Sequence, residues 1–279
     1  EIGSGLVGSE MCIRDRRSPS DIVLEVSSGM ALGDLPGGVP TACWVFTNAE
    51  SVRLYRGNDY IAAFSPDRHG RFAAMPHPPI EINDFVGSLL EKYEGMDPPS
   101  AQAVASILND MRRCAMELSP LSKARMLSLR LSWNEVARMY CKYIGILGSP
   151  SPVYRFEAVW HGRVVGTVVR EPVQSVRLEC TVHNPILTDG PTWDCAAVSL
   201  RAIDQNGNLL PYCGEAVQLS VEGPLRILGP SVVPLRGGMA GTYLATTGEA
   251  GPARLRRRME GALDTEASLT IRCREEERS

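Results

Sequence analysis

The hydrophobic period of the chain changes twice. From about Ile22 to Pro79, short runs rich in β-branched and aromatic residues, "ACWVFT", "SVRLYR" and "YIAAF", read as strands. In "SVRLYR" the alternation sets Val52 and Leu54 on one face and Arg53 and Tyr55 on the other, the mark of a half-buried strand. "GND" at 57–59 joins it to the next run as a hairpin turn, while "LPGGVP" and "MPHPPI" break the pattern.

From Glu81 to Leu147 the period becomes helical. Val104, Ile107, Leu108 and Met111 form one stripe; Val136, Met139, Tyr140, Tyr143 and Ile144 form another. Ser132-Trp133-Asn134-Glu135 has the form of a capping box, with Ser132 as N-cap and Glu135 at the third helical position. "DPPS" before Ala101 and "SP" at 119–120 mark further helix starts. The pattern predicts helices over 82–94, 99–116, 120–131 and 133–145.

Strands return with "YRFEAVW" and "RVVGTVV", joined through His161-Gly162, a two-residue turn that needs positive φ at Gly162. "SVRLECTVH", "AAVSLRAID", "AVQLSVE", "GTYLATT" and "ASLTIR" follow at the spacing of a β-sandwich, with "QNGN" at 205–208 as another hairpin signal. The expected fold is mainly β with an α-helical insertion. Two immunoglobulin-like β-sandwich domains are expected: the first from 17–80 plus 150–172, interrupted by a helical insertion at 81–149, the second from 173–273, followed by a solvated tail at 274–279.

Composition narrows the function classes. The 279 residues are 44% hydrophobic and 22% charged, as in an ordinary globular chain. A net charge of −3 gives no reason to expect nucleic acid or an anionic membrane as partner. Eight cysteines show no close pair and no CxxC, and most lie in apolar runs, so buried, reduced thiols and a cytoplasmic setting are expected. His69, His77, His161 and His183 lack metal-ligand spacing, and neither metal nor cofactor is expected.

Catalytic motifs are missing. There is no GxSxG elbow, P-loop or dinucleotide-binding glycine turn. "RGG" at 236–238 reads as a turn, and "DQNGN" at 204–208 echoes a calcium loop without its distal bidentate Glu. Trp193 in "DGPTWDC" can serve as a sugar-stacking platform, but a lone Trp entering a strand more often packs.

"CWVFTNAESVRLYRGNDYIAAF" resembles the strand pair that follows the catalytic barrel in glycoside hydrolase family 2, the β-galactosidase family. Val45, Thr47, Asn48, Ala49, Glu50, Val52, Leu54 and Tyr55 match its pattern, which departs at Arg56-Gly57-Asn58, where the family's "NG" is reversed. "MALGDLPGGVP" at 30–40 also resembles this family. Asp189, Gly190, Val198, Asp204, Asn206, Gly207, Asn208, Pro211, Gly223 and Pro224 fit the family's next domain, and Thr247, Gly248 and Glu249 its following strand. The resemblance runs from about 22 to 257; from Arg254, "RLRRRMEG" is more charged than the family's strand.

The resemblance implies the accessory half of a retaining β-glycosidase. Its chemistry needs two carboxylates about 5–5.5 Å apart, at the strand ends of a (β/α)₈ barrel of about 250 residues. No barrel is legible in this chain. Asn134-Glu135 echoes the family's acid/base pair, yet Val136 replaces the usual Pro and the capping box already accounts for Glu135. No residue is therefore assigned a catalytic, cofactor-binding or metal-binding role. The implied partner is an N-terminal catalytic barrel of the same polypeptide, with homo-oligomer contacts in the full enzyme. The second hypothesis is a stand-alone carbohydrate-binding or adhesin module, since sandwiches host many functions. A loop reaching into the full enzyme's active site is a third, with no motif that names its residue. Finally, "EMCIRDR" at 10–16 resembles a translated sequencing adapter, so residues 1–16 are expected to be an artefact of assembly rather than part of the fold.

Overall fold

The computed structural model describes residues 22–27, 43–114, 117–145 and 152–273. The segments 1–16, 30–40 and 274–279 lie outside the described residues. The chain forms two compact units, one ending at Pro172 and the other beginning at Val173.

In the first unit, β1 (Leu24–Val26), β2 (Trp44–Thr47) and β5 (Ile80–Glu81) form an antiparallel sheet in the order β1-β2-β5. Four further strands, β3 (Ser51–Arg56), β4 (Asp59–Phe64), β6 (Tyr154–Trp160) and β7 (Arg163–Arg170), form a second sheet in the order β4-β3-β6-β7. The expected alternation holds in β3, where Val52 and Leu54 are buried. Both His161 and Gly162 take positive φ, +47° and +77°, in the turn between β6 and β7, whereas the sequence pointed only to Gly162. Two such residues make the mirror-image turn that fits strand twist.

Four helices follow β5: α1 (Leu89–Glu94), α2 (Pro98–Arg113), α3 (Pro120–Ser128) and α4 (Trp133–Tyr143). They share one hydrophobic core with both sheets. Leu108, Met111, Val136 and Tyr143 are buried in the same cluster as Val45, Ile80, Leu54 and Phe156. Helices this short are marginal alone, and packing of their apolar faces supplies most of their stability.

The first predicted helix is corrected. Residues 82–88 form an extended turn and the helix begins only at Leu89. Asp84 Oδ1 accepts from the backbone N–H groups of Val86 and Gly87, a local alternative to helical bonding. Asn109 of α2 then accepts from Phe85 N and donates to Asp84 Oδ1 at 2.7 Å, so helix α2 holds the turn. Gly87 has φ +49°, and a Cβ there would stand 2.3 Å from Ile61 O. The third helix stops at Ser128 rather than 131 because Arg130 takes φ +53°.

In the second unit, β12 (Leu225–Leu228), β14 (Met239–Thr246), β10 (Cys195–Ile203) and β8 (Arg177–Val182) form one sheet in that order. The other runs β13 (Val232–Pro234), β11 (Ala216–Glu222), β15 (Gly251–Met259), β16 (Thr265–Cys273) and β9 (Ile186–Asp189). Leu200, Leu244, Leu219, Leu255 and Ile271 from the two sheets share one core.

The arginine-rich text after Gly251 is an interior strand, paired with β11 over 254–259 and with β16 over 251–257. Its alternation buries Ala253, Leu255, Arg257 and Met259 and exposes Arg254, Arg256 and Arg258. Arg256 pairs with Glu222 and Glu266 across the neighbouring strands, which is how a charged strand keeps its outer face. "QNGN" turns tightly, but only an isolated bridge, Ile203 to Leu209, follows it. Pro211 has no N–H with which to extend a ladder.

Candidate functional site

Several of the residues that carried the family resemblance build corners, while Val45, Val52, Leu54 and Val198 are buried strand positions. Thr47 and Asn48 are buried at the end of β2. Thr47 Oγ1 accepts from Ala49 N, and Asn48 Oδ1 accepts from Val23 N, tying in the start of β1. Glu50 accepts from His161 N at the far end of the β6–β7 hairpin. In the second unit, buried Asp189 accepts from Gly248 N at 2.9 Å. Asp204 is also buried and accepts from Asn206 N, Asn208 N and Asn208 Nδ2. Its carboxylate closes the "DQNGN" turn, which accounts for the calcium-like spelling of that stretch. Gly223, at φ +85°, lies so close to β15 that a Cβ would meet Pro252 O at 2.4 Å.

Asn134-Glu135 opens helix α4. Ser132 Oγ accepts from Glu135 N, and Glu135 Oε2 accepts from Ser132 N at 2.8 Å, the reciprocal bonds of a capping box. The Ser132 hydroxyl, which donates to Glu135 Oε2 at 2.7 Å, and then Ser132 N hold the Glu135 carboxyl below its usual range. A glycosidic general acid needs the opposite shift. Asp59 is held down by Lys92 and Tyr93, and Glu94 by Lys142 and Tyr143. Both carboxylates tie hairpin or helix to helix: Tyr93 Oη donates to Asp59 Oδ2 at 2.8 Å, and Lys142 Nζ and Tyr143 Oη each donate to Glu94 Oε1 at 2.7 Å.

The thiols are inert where buried. Burial pushes the Cys43 thiol up to about 12 despite Arg112 and Arg170 nearby, and burial also raises Cys180. The seven cysteines among the described residues are all unpaired. Among those residues no group of three His, Cys, Asp or Glu side chains is placed to hold a metal ion, and no helix is long and apolar enough to cross a membrane.

Two surface features of the second unit remain. A shallow groove of about 750 Å³ on the outer face of the five-stranded sheet is lined by Gln218, Val232, Arg258 and Asp264, a mixture of both charge signs. Trp193, expected to pack, is instead 53% exposed, with the Arg226 guanidinium 5.8 Å from its ring centre. Arg226 and the exposed Tyr243 were not singled out from the sequence. The alternation in "PLRILG" and "GTYLATT" sets each on an outer face, but only the sheet order brings Arg226 beside Trp193's loop and Tyr243 onto the same sheet face.

No protein-family model matches the chain. It is 45% identical to a β-galactosidase of Rhizobium radiobacter over 58 residues, 21% of this chain and 42% of that protein. It is 23% identical to a β-galactosidase of Thermoanaerobacter pseudethanolicus over 210 residues, 74% of this chain and 21% of that protein. Among solved structures, a β-glycosidase from Bacteroides vulgatus superposes with TM-score 0.55 at 11% identity, over 95% of this chain and 26% of the other. A β-glucuronidase from glycoside hydrolase family 2 superposes with TM-score 0.51 at 12% identity, over 94% and 21%. The chain thus spans less than half the length of these two curated relatives. By sequence and by fold, it resembles the C-terminal β-sandwich region of glycoside hydrolase family 2 enzymes.

Proposed function

We propose that the chain is a non-catalytic part of a family 2 glycoside hydrolase that cleaves O-glycosidic bonds in carbohydrate metabolism. The observation that carries this is the match along 74% of the chain to only 21% of a β-galactosidase. In this reading the first sandwich comprises 17–80 and 150–172, the helices at 81–149 are inserted in it, and 173–273 is the second sandwich. Together they support a catalytic barrel of the same polypeptide and contribute to oligomer contacts, through interdomain interfaces of about 600–1,500 Å². None of the chain's residues is catalytic or binds a metal or cofactor. The unpaired cysteines support a reducing, cytoplasmic setting.

The test has two parts. The purified chain is assayed with a chromogenic β-galactoside, and the reading frame upstream of Ile22 is recovered from genomic DNA. No turnover, with a barrel encoded upstream that carries two strand-end glutamates, is the expected result. Turnover above a protein-free blank, or an upstream frame without a barrel, overturns the proposal.

A further inference from the structure

Trp193 is exposed yet its loop is rigidly held. Its neighbour Asp194 makes four bonds. The carboxylate accepts from Thr188 N and Cys195 N at 2.9 and 2.8 Å. Its N–H donates to Thr246 Oγ1 and its carbonyl accepts from Thr246 N, both at 3.0 Å. The indole is therefore presented to solvent by a clamped loop, so little ordering cost remains for a ligand that stacks on it.

The register places a cation beside it and a second ring further along the same sheet. Arg226 of β12 stands opposite Ala245 of β14, which in turn stands opposite Cys195 of β10. Ala245 shares the outer face of β14 with Tyr243 but has no exposed surface, so the Trp193–Arg226 pair lies against a covered part of the sheet. Tyr243 is 55% exposed. Trp193 precedes Cys195 by two residues and so stands level with Thr247, four residues along from Tyr243. At a strand rise of about 3.4 Å per residue the two rings' backbones are roughly 14 Å apart, more than one pyranose ring can bridge.

Arg226 is exposed, and among the described residues no carboxylate pairs with it. An unpaired guanidinium is a planar fork of donors matched to a carboxylate. Further along the same sheet, past Tyr243, Ser199 Oγ of β10 and His183 Nε2 just after β8 lie 2.8 Å apart and offer hydrogen-bonding groups to a longer ligand. A stacking ring beside one unpaired cation selects a sugar chain that carries negative charge.

We propose that Trp193, Arg226 and Tyr243 form a binding surface for a uronate-containing oligosaccharide. A pyranose ring stacks on the Trp193 indole, its carboxylate takes the Arg226 fork, and the chain runs along β14 toward Tyr243. This goes beyond the scaffold role, and it is read by binding rather than by turnover.

The test is isothermal titration calorimetry on the full chain with tetragalacturonate and, as its neutral counterpart, β-1,4-galactotetraose. Saturable binding is expected, with tetragalacturonate at least about tenfold tighter, a difference of about 1.4 kcal/mol. W193A and R226A should each lose about tenfold, and R226K should not restore the loss because an ammonium cannot fork. Unchanged melting temperatures of these exposed-site variants confirm that folding is intact. No saturable binding, equal or tighter binding of the neutral tetramer, or affinities unchanged in both W193A and R226A would each overturn the proposal. A change in elution volume in these variants without a change in the titration would assign the surface to protein docking instead.

Discussion

Phe85 offers the sharpest test of whether the helices and the first unit's sheets are one cooperative structure. Its ring is 2% exposed and meets Tyr154 of β6 edge-to-face, with centroids 5.7 Å apart. The buried Arg112 guanidinium of α2 also lies over the ring, 4.5 Å from its centre. One side chain thus touches a strand and a helix. Phe85→Ala removes the buried ring, at about 3–5 kcal/mol for such a cavity, and with it an aromatic pair that contributes about 0.5–1.5 kcal/mol beyond area. Because partial collapse of the site recovers some of this, about 4 kcal/mol is expected, close to a thousandfold in the opening equilibrium. Native-state hydrogen exchange is the assay. Amides of Val52 and Leu54 in β3, and of Leu108 and Met111 in α2, should lose protection together and by similar factors. If the α2 amides lose protection while those of β3 keep theirs, the shared core is refuted and the helices are an independent insertion.

Three further outcomes are expected. Gly223→Ala should cost at least about 2 kcal/mol, from left-handed strain plus a clash with Pro252 O, whereas Gly207→Ala, at φ +81° with open space around it, should cost only about 1 kcal/mol; equal thermal shifts would disprove the close approach. Hydrogen bonds from Lys142 and Tyr143 depress the folded Glu94 carboxyl, so its stabilisation is complete above the unfolded value of about 4.3 and fades as pH falls through the lower folded value. Denaturant midpoints from pH 6 down to pH 3 should therefore fall more steeply in the wild type than in Glu94→Gln. Cys43, with its thiol raised to about 12, should resist iodoacetamide at pH 8 until the chain is unfolded, while exposed Cys114, Cys141 and Cys195 are labelled first; peptide mass mapping that finds Cys43 modified in the folded chain would contradict its burial.

Local chemistry explains what was legible. The capping box at Ser132, the turns at 57–58 and 161–162 and the stripes of α2 and α4 all follow from residues within a few positions of each other. The first predicted helix failed because residues 82–88 include Asp84, whose carboxylate captures two backbone donors, and because Asn109, 25 residues away, completes the arrangement. Strand β15 was obscured by its arginines, whose partners Glu222 and Glu266 lie on other strands. Strand β9 pairs parallel with β16, more than eighty residues later, and no local turn announces such a pairing.

The sequence by itself determined the periods, the breakers, the caps and the corner residues, because each depends on backbone preferences and neighbours in the chain. It also determined the family resemblance, whose matched positions stand at turns, at corners and on the buried faces of strands. Tertiary structure alone decided that helices and sheets share one core, that Arg257 points inward while Arg256 is paired outside, and that Trp193, Arg226 and Tyr243 gather on one outer face. These depend on strand order and register, which residues distant in the chain establish together when their apolar faces are buried.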